Sequence, residues 1–189
     1  MPNFPDPRPQ GRLGAALCGV NPTDPRVAAA FTAAKQKLDG RYAPGSPEAL
    51  LVRNNLANWY HAQGEDPKAE KEYRAVLAIR ERVLGPEHPD TLGSRNNLAN
   101  ALDDQGKHAE ADTEHRAVLA IMERVLGPEH PDVFRSCYNL ALCLKAQRKK
   151  PEALVFARRA LTGRQKTLGD VHPDTKKAKK LVEWLEQPH

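Results

Sequence analysis

Between Pro89 and Gln105 the apolar and small residues Leu98, Ala99 and Leu102 recur at helical spacing. Between Ala109 and Val125, Ala111, Val118, Leu119 and Val125 mark a second helical face. Gly106 separates the two stretches, and Leu126-Gly127-Pro128 closes the second. This polar–apolar pattern predicts a pair of helices. It also returns: a shift of 42 residues aligns Tyr42–Val83 with Leu84–Val125 at 22 identical positions. RNNLAN occurs at Arg53–Asn58 and Arg95–Asn100, and RAVLAI at Arg74–Ile79 and Arg116–Ile121. A third copy, Leu126–Thr167, keeps Asn139-Leu140-Ala141, Gln147, Glu152-Ala153 and Leu161, and a fourth begins at Leu168.

The connection between copies reads LGPEHPD at Leu84–Asp90 and Leu126–Asp132, and LGDVHPD at Leu168–Asp174. It places a proline at each predicted helix start: Pro47, Pro89, Pro131 and Pro173. Proline suits the first helical position, where its missing N–H has no partner to lose. The acidic residue that follows (Glu48, Asp90, Asp132, Asp174) suits the positive end of the helix dipole. The residue before proline is then the N-cap. It is Ser46 in the first copy and a histidine in the others, whose neutral ring nitrogen can accept a backbone N–H. One histidine per unit, in units stacked roughly 10 Å apart, cannot gather about four ligands on one ion. The motif therefore reads as punctuation, and no metal is expected.

Five blocks follow from the register. They are a half-unit at 24–41, repeats at 42–83, 84–125 and 126–167, and a capping half-unit at 168–187. Ala178, Leu181, Val182 and Leu185 give the last helix one apolar face, with lysines on the rest, as an end cap requires. Residues 1–23, rich in proline, are expected to be irregular. Their apolar stretch, Leu13–Val20, is expected to complete the first half-unit rather than fold back over the array.

The sequence NNLA, then QG, EA and RA-L-I-E-VLG-HPD, resembles the tetratricopeptide repeat in its 42-residue kinesin-light-chain form. The resemblance is strong over Tyr42–Thr167. It implies an all-α fold of about eight helices, a right-handed superhelical solenoid of antiparallel pairs. It further implies that the first helices line a concave groove for peptides of partner proteins. No enzymatic activity and no cofactor are expected, since no catalytic constellation stands out among the residues.

The packed face of the first helices carries Leu56, Ala57 and Tyr60, then Leu98, Ala99 and Leu102. Stepping 100° per residue puts Asn54, Asn58 and His61 on the opposite face, then Asn96, Asn100 and Asp103. Arg135, Tyr138, Leu142 and Lys145 follow, then Lys177, Lys180 and Trp184. These are also the positions that the resemblance makes ligand-facing. An asparagine amide both donates and accepts, so it can pair with an extended peptide backbone. Asn55, Asn97 and Asn139 sit at the margin, where they either meet the ligand or bond neighbouring helices. The far end of the groove is basic and aromatic, which predicts a peptide with acidic residues or a C-terminal carboxylate.

Composition adds charge asymmetry to this picture. The formal net charge is +5, but Lys145–Lys180 holds twelve Lys/Arg against three Asp/Glu. Such a field also attracts nucleic acid, which is the rival reading. The chain is only 5% aromatic and its first two units are near copies, whereas base-reading repeats vary from unit to unit. A self-assembling structural module is the other alternative; its unlike ends would build filaments. The lysine-rich last helix argues for a monomer instead. No Gly-rich phosphate loop occurs. His61, His108 and His115, taken to lie on separate helices, have no serine or cysteine partner at repeated offsets. Cys18, Cys137 and Cys143 form neither a disulfide framework nor a metal spacing, and read as small buried residues. With no signal-peptide pattern and no long apolar run, a cytoplasmic location away from membranes is expected.

Overall fold

The computed structural model describes residues 45–187 continuously, together with Arg26, Ala29, Ala30, Thr32–Ala34, Gln36 and Lys37, which are helical. Most of the 24–41 half-unit, residues 1–23 and Cys18 lie outside the described residues. Among the described residues the fold is all-α. The helices are α1 (Pro47–Ala62), α2 (Asp66–Leu84), α3 (Pro89–Asp104), α4 (His108–Leu126), α5 (Pro131–Ala146), α6 (Lys150–Leu168) and α7 (Pro173–Glu186). Each packs against the next, and the first helices α1, α3 and α5 also touch in sequence. Helix starts fall 42 residues apart, as the motif spacing predicts. His108 opens α4 and so shares it with His115, a correction to the expectation of separate helices.

The caps form as the register requires. Ser46 accepts from the Ala49 N–H at 3.2 Å. His88, His130 and His172 each accept, through Nδ1, from the N–H of Asp90, Asp132 and Asp174, all at 3.2 Å. The imidazole caps thus take the donor two residues on, whereas Ser46 takes the one three residues on; both are among the unpaired N–H groups of a first turn. Gly85, Gly127 and Gly169 close the second helices with positive φ. The turn after the first helix uses Gly64 and Gly106 at φ 72° and 77°, but Arg148 takes that place in the third unit at φ 61°.

Alanine sets the closeness of packing. Ala57, Ala99 and Ala141 on first helices, and Ala69, Ala111 and Ala153 on second helices, have no exposed surface. Leu56, Leu98 and Leu140 are buried beside them, and Cys137 and Cys143 are buried as expected. Burial pushes the Cys137 thiol up to about 11. The third unit carries one compensating exchange. Leu50 and Leu92 become Phe134, and the facing Ile79 and Ile121 become Gly163. A Cβ at Gly163 would sit 2.3 Å from the Phe134 ring.

The second helices are joined by a repeated ion-pair ladder. Arg74 bonds Glu70 at 2.8 Å and Glu110 of the next unit at 3.3 Å. Forty-two residues on, Arg116 bonds Asp112 at 2.6 Å and Glu152 at 2.7 Å. Lys107 reaches back to Glu70 at 2.7 Å, and Lys149 to Asp112 at 3.2 Å. Burial alone would raise the Glu70 carboxyl, but hydrogen bonds from Lys107, Arg74 and Gln105 outweigh it and hold it down to about 2.

Candidate binding groove

The face of the first helices divides into adjoining cavities. One of about 380 Å³ is lined by His61, Asn100, Asp103, Asp104, Asn139 and Leu142, from α1, α3 and α5. The next, about 290 Å³, is lined by Tyr138, Leu142, Lys145, Lys177, Lys180, Leu181 and Trp184, from α5 and α7. Leu142, half-exposed, belongs to both and forms the step between them. A larger hollow near the helix starts includes Leu51, Asn54, Gly93 and Asn97.

The basic cavity is built from the helix positions outward. The Lys145 ammonium lies 4.0 Å from the centre of the Trp184 ring, a cation–π contact between α5 and α7. The Arg164 guanidinium lies 4.3 Å from the Tyr138 ring centre, and it donates to the Asp174 carbonyl oxygen at 2.9 Å. Lys177 is 3.4 Å from Asp174. Among the described residues no carboxylate lies within ion-pair distance of Lys145 or Lys180.

The neighbouring cavity has the opposite character. Asp103 bonds His108 Nδ1 at 2.6 Å. His61 Nδ1 bonds Asp66 at 2.7 Å, and its Nε2 lies 3.7 Å from Asp104. The ligand-capable atoms of His61, Asp66 and Asp104 fall within 4.8 Å of one another. The His61–Asp66 and Asp103–His108 pairs are mirror images at equivalent positions, each fastening a first helix to the second helix of its unit.

The structure thus brings Asn100, Tyr138, Lys145, Lys177, Lys180 and Trp184 to cavity walls, and Asn54 to the hollow at the helix starts. Asn96 requires a correction. It is 4% exposed, and its Oδ1 lies 3.3 Å from buried His115 Nδ1. The imidazole of the second helix draws it inward, so it is a packing residue. Asn58 is exposed and accepts from the Tyr73 hydroxyl at 2.7 Å. Arg135 is exposed and held by Asp132 at 3.0 Å, outside both cavities. Asn55 is half-buried. Of the marginal amides, Asn97 Nδ2 lies 3.5 Å from Asn58 Oδ1 on the neighbouring first helix, and Asn139 lines the acidic cavity. Sequence reasoning missed Asp104 as a wall residue and Arg164 beneath Tyr138. An acidic residue directly after a ligand-facing one was the only available signal for the former.

Much of the basic C-terminal surplus is already partnered. Arg158 pairs with Glu186, Arg159 with Glu123 and Lys166 with Glu129, while Arg164 is buried.

The sequence profile of the tetratricopeptide repeat matches residues 48–113 and 94–166. The chain belongs to the tetratricopeptide repeat family. Its solved likenesses include a putative kinesin light chain with nearly identical TPR-like repeats from Podosopora anserina, at 25% identity and TM-score 0.72, over 85% of this chain and 76% of that one. BtubC (BKLC) from P. vanneervenii aligns at 20% identity and TM-score 0.71, over 85% and 64% of the two chains. The apo form of RapI aligns at 16% identity and TM-score 0.72, over 84% and 55%. The last two show the fold alone. No curated protein matches the sequence. The tetratricopeptide fold is that of a protein–protein interaction module of a kinesin-light-chain-like kind, in a family whose members are typically not enzymes. Among the described residues no helix is long and apolar enough to cross a membrane.

Proposed function

We propose that this tetratricopeptide chain is a monomeric, cytoplasmic, non-enzymatic adaptor. It holds an extended acidic segment of a protein partner along its first helices. The observation that carries this reading is the α5–α7 cavity, where Lys145, Lys177 and Lys180 surround Trp184 and Tyr138. Ammonium groups gathered beside aromatic rings favour carboxylates through charge-assisted hydrogen bonds. The ring faces accept the apolar stems of neighbouring ligand residues. Asn100 and Asn139 add amide groups at the adjoining wall, suited to a peptide backbone. Nucleic acid fits less well, because Arg158, Arg159 and Lys166 of α6 already pair with Glu186, Glu123 and Glu129, which lowers the net positive field along that helix.

The test uses two fluorescein-labelled peptides of equal length. One carries Asp and Glu around an apolar residue, and the other replaces them with Asn and Gln. Fluorescence anisotropy should show saturable binding of the acidic peptide only. Lys180→Glu should weaken it roughly tenfold or more, the scale of one lost charge contact. Equal binding of both peptides, or indifference to Lys180→Glu, would overturn the reading.

A further inference from the structure

The two central cavities of the groove have opposite charge and a common wall. Asp103 and Asp104 stand on one side of Leu142, with Asn100 and Asn139. Lys145, Lys177 and Lys180 stand on the other, with Trp184. Asp104 has 63% of its side chain exposed, so its carboxylate is open to a ligand as well as near His61. An all-acidic ligand long enough to cross Leu142 would bring carboxylates against Asp103 and Asp104. That like-charge contact discriminates against it as surely as the lysines favour its other end.

We infer that the partner segment is bipolar. It carries a lysine, an arginine or an amino terminus over the Asp103–Asp104 cavity, an apolar residue over Leu142, and its acidic residues over the Lys145–Lys180 cavity. This inference rests on the acidic-peptide reading and extends it. The physical basis is complementarity of sign along one continuous surface, which fixes orientation and register more than it adds affinity. The spacing follows from helix packing. First helices at roughly 10 Å intervals put α3 and α7 about 20 Å apart. About six extended residues cover that length. The cationic group and the acidic pair should therefore stand about five or six positions apart. Asp104 is well suited to the cationic end because its carboxylate is 63% exposed and no closer to His61 Nε2 than 3.7 Å, which leaves it open to a ligand ammonium.

The test compares three labelled peptides that share an acidic pair and a central leucine. Six positions from the acidic pair they carry Lys, Gln or Glu. Anisotropy at low and at physiological salt should rank them Lys, Gln, Glu, with the Lys peptide several-fold tighter than the Gln peptide. The preference should shrink as salt rises. Asp104→Asn, an exposed substitution, should equalise the Lys and Gln peptides, whereas Lys180→Glu should weaken all three. Equal binding of the three peptides to the unaltered protein would overturn the bipolar assignment. A Lys preference that survives Asp104→Asn would overturn it too. In either case a retained effect of Lys180→Glu would leave the acidic-peptide reading standing. Binding of none of the three would overturn both.

Discussion

Gly163→Ala sets two magnitudes against each other. Gly163 lies inside α6, where replacing glycine with alanine ordinarily stabilises a helix by about 1 kcal/mol. Here the new methyl would sit 2.3 Å from three ring carbons of Phe134. Carbon atoms pack at about 3.5–4.0 Å. The ring is 2% exposed, so it can yield only by leaving its packed place against α6 toward the cavity it shares with Arg158 and Thr162. Overpacking of a filled core costs about 1–3 kcal/mol, and an overlap with three ring atoms belongs at the upper end. The net effect should be a loss of about 1–2 kcal/mol. In a Phe134→Leu background the ring is gone and the site matches the second unit, where Leu92 faces the far bulkier Ile121. Gly163→Ala should there gain about 1 kcal/mol. The coupling between the two sites is then about 2–3 kcal/mol, well above the additive limit of about 0.5 kcal/mol. Urea unfolding of the four proteins followed by circular dichroism measures it. A Gly163→Ala effect of the same sign in both backgrounds would refute the argument.

The second helices supply a pH prediction. Burial holds the His115 ring down to about 4 from an ordinary 6.5, against weaker upward pulls from Asp103 and Asp112. The folded chain thus resists a proton that the unfolded chain accepts. Its contribution is complete above pH 6.5 and is lost as pH falls from there toward about 4, roughly 3 kcal/mol in all and about 2 kcal/mol by pH 5. His115→Tyr, which restores the residue type of the first unit, should flatten that part of the pH–stability curve; an unchanged slope in urea titrations at several pH values would count against it. Arg148 holds a left-handed backbone where the other units have glycine. Arg148→Gly should raise stability by about 1 kcal/mol, seen as a higher melting temperature, because a side chain at positive φ is strained.

Most of the fold was legible because the repeat wrote it several times. Pro47, Pro89, Pro131 and Pro173 marked helix starts at one interval. The alanine and leucine pairs then fixed which face packs. The histidine caps were readable for the same reason: their slot was defined by Ser46 in the first copy. The site was less legible, since sequence spacing gives an angle around a helix but not the depth of a side chain. Asn96 and Asn100 share one face by spacing, yet only Asn96 meets a ring from the second helix and is buried by it. The cation–π contact of Lys145 with Trp184 joins residues of different units and leaves no periodic trace. Phe134 and Gly163 depart from the repeat 29 residues apart in the chain, and only packing shows them to be one exchange.

An acidic segment held against the α5–α7 wall would lie beside Trp184, which can report on it directly. With Trp59→Phe, Trp184 becomes the one tryptophan of the chain. Titration with the acidic peptide should change its fluorescence saturably, with the same midpoint as the anisotropy curve, and Lys180→Glu should move both midpoints together. Tight binding by anisotropy with Trp184 fluorescence unmoved would contradict the account.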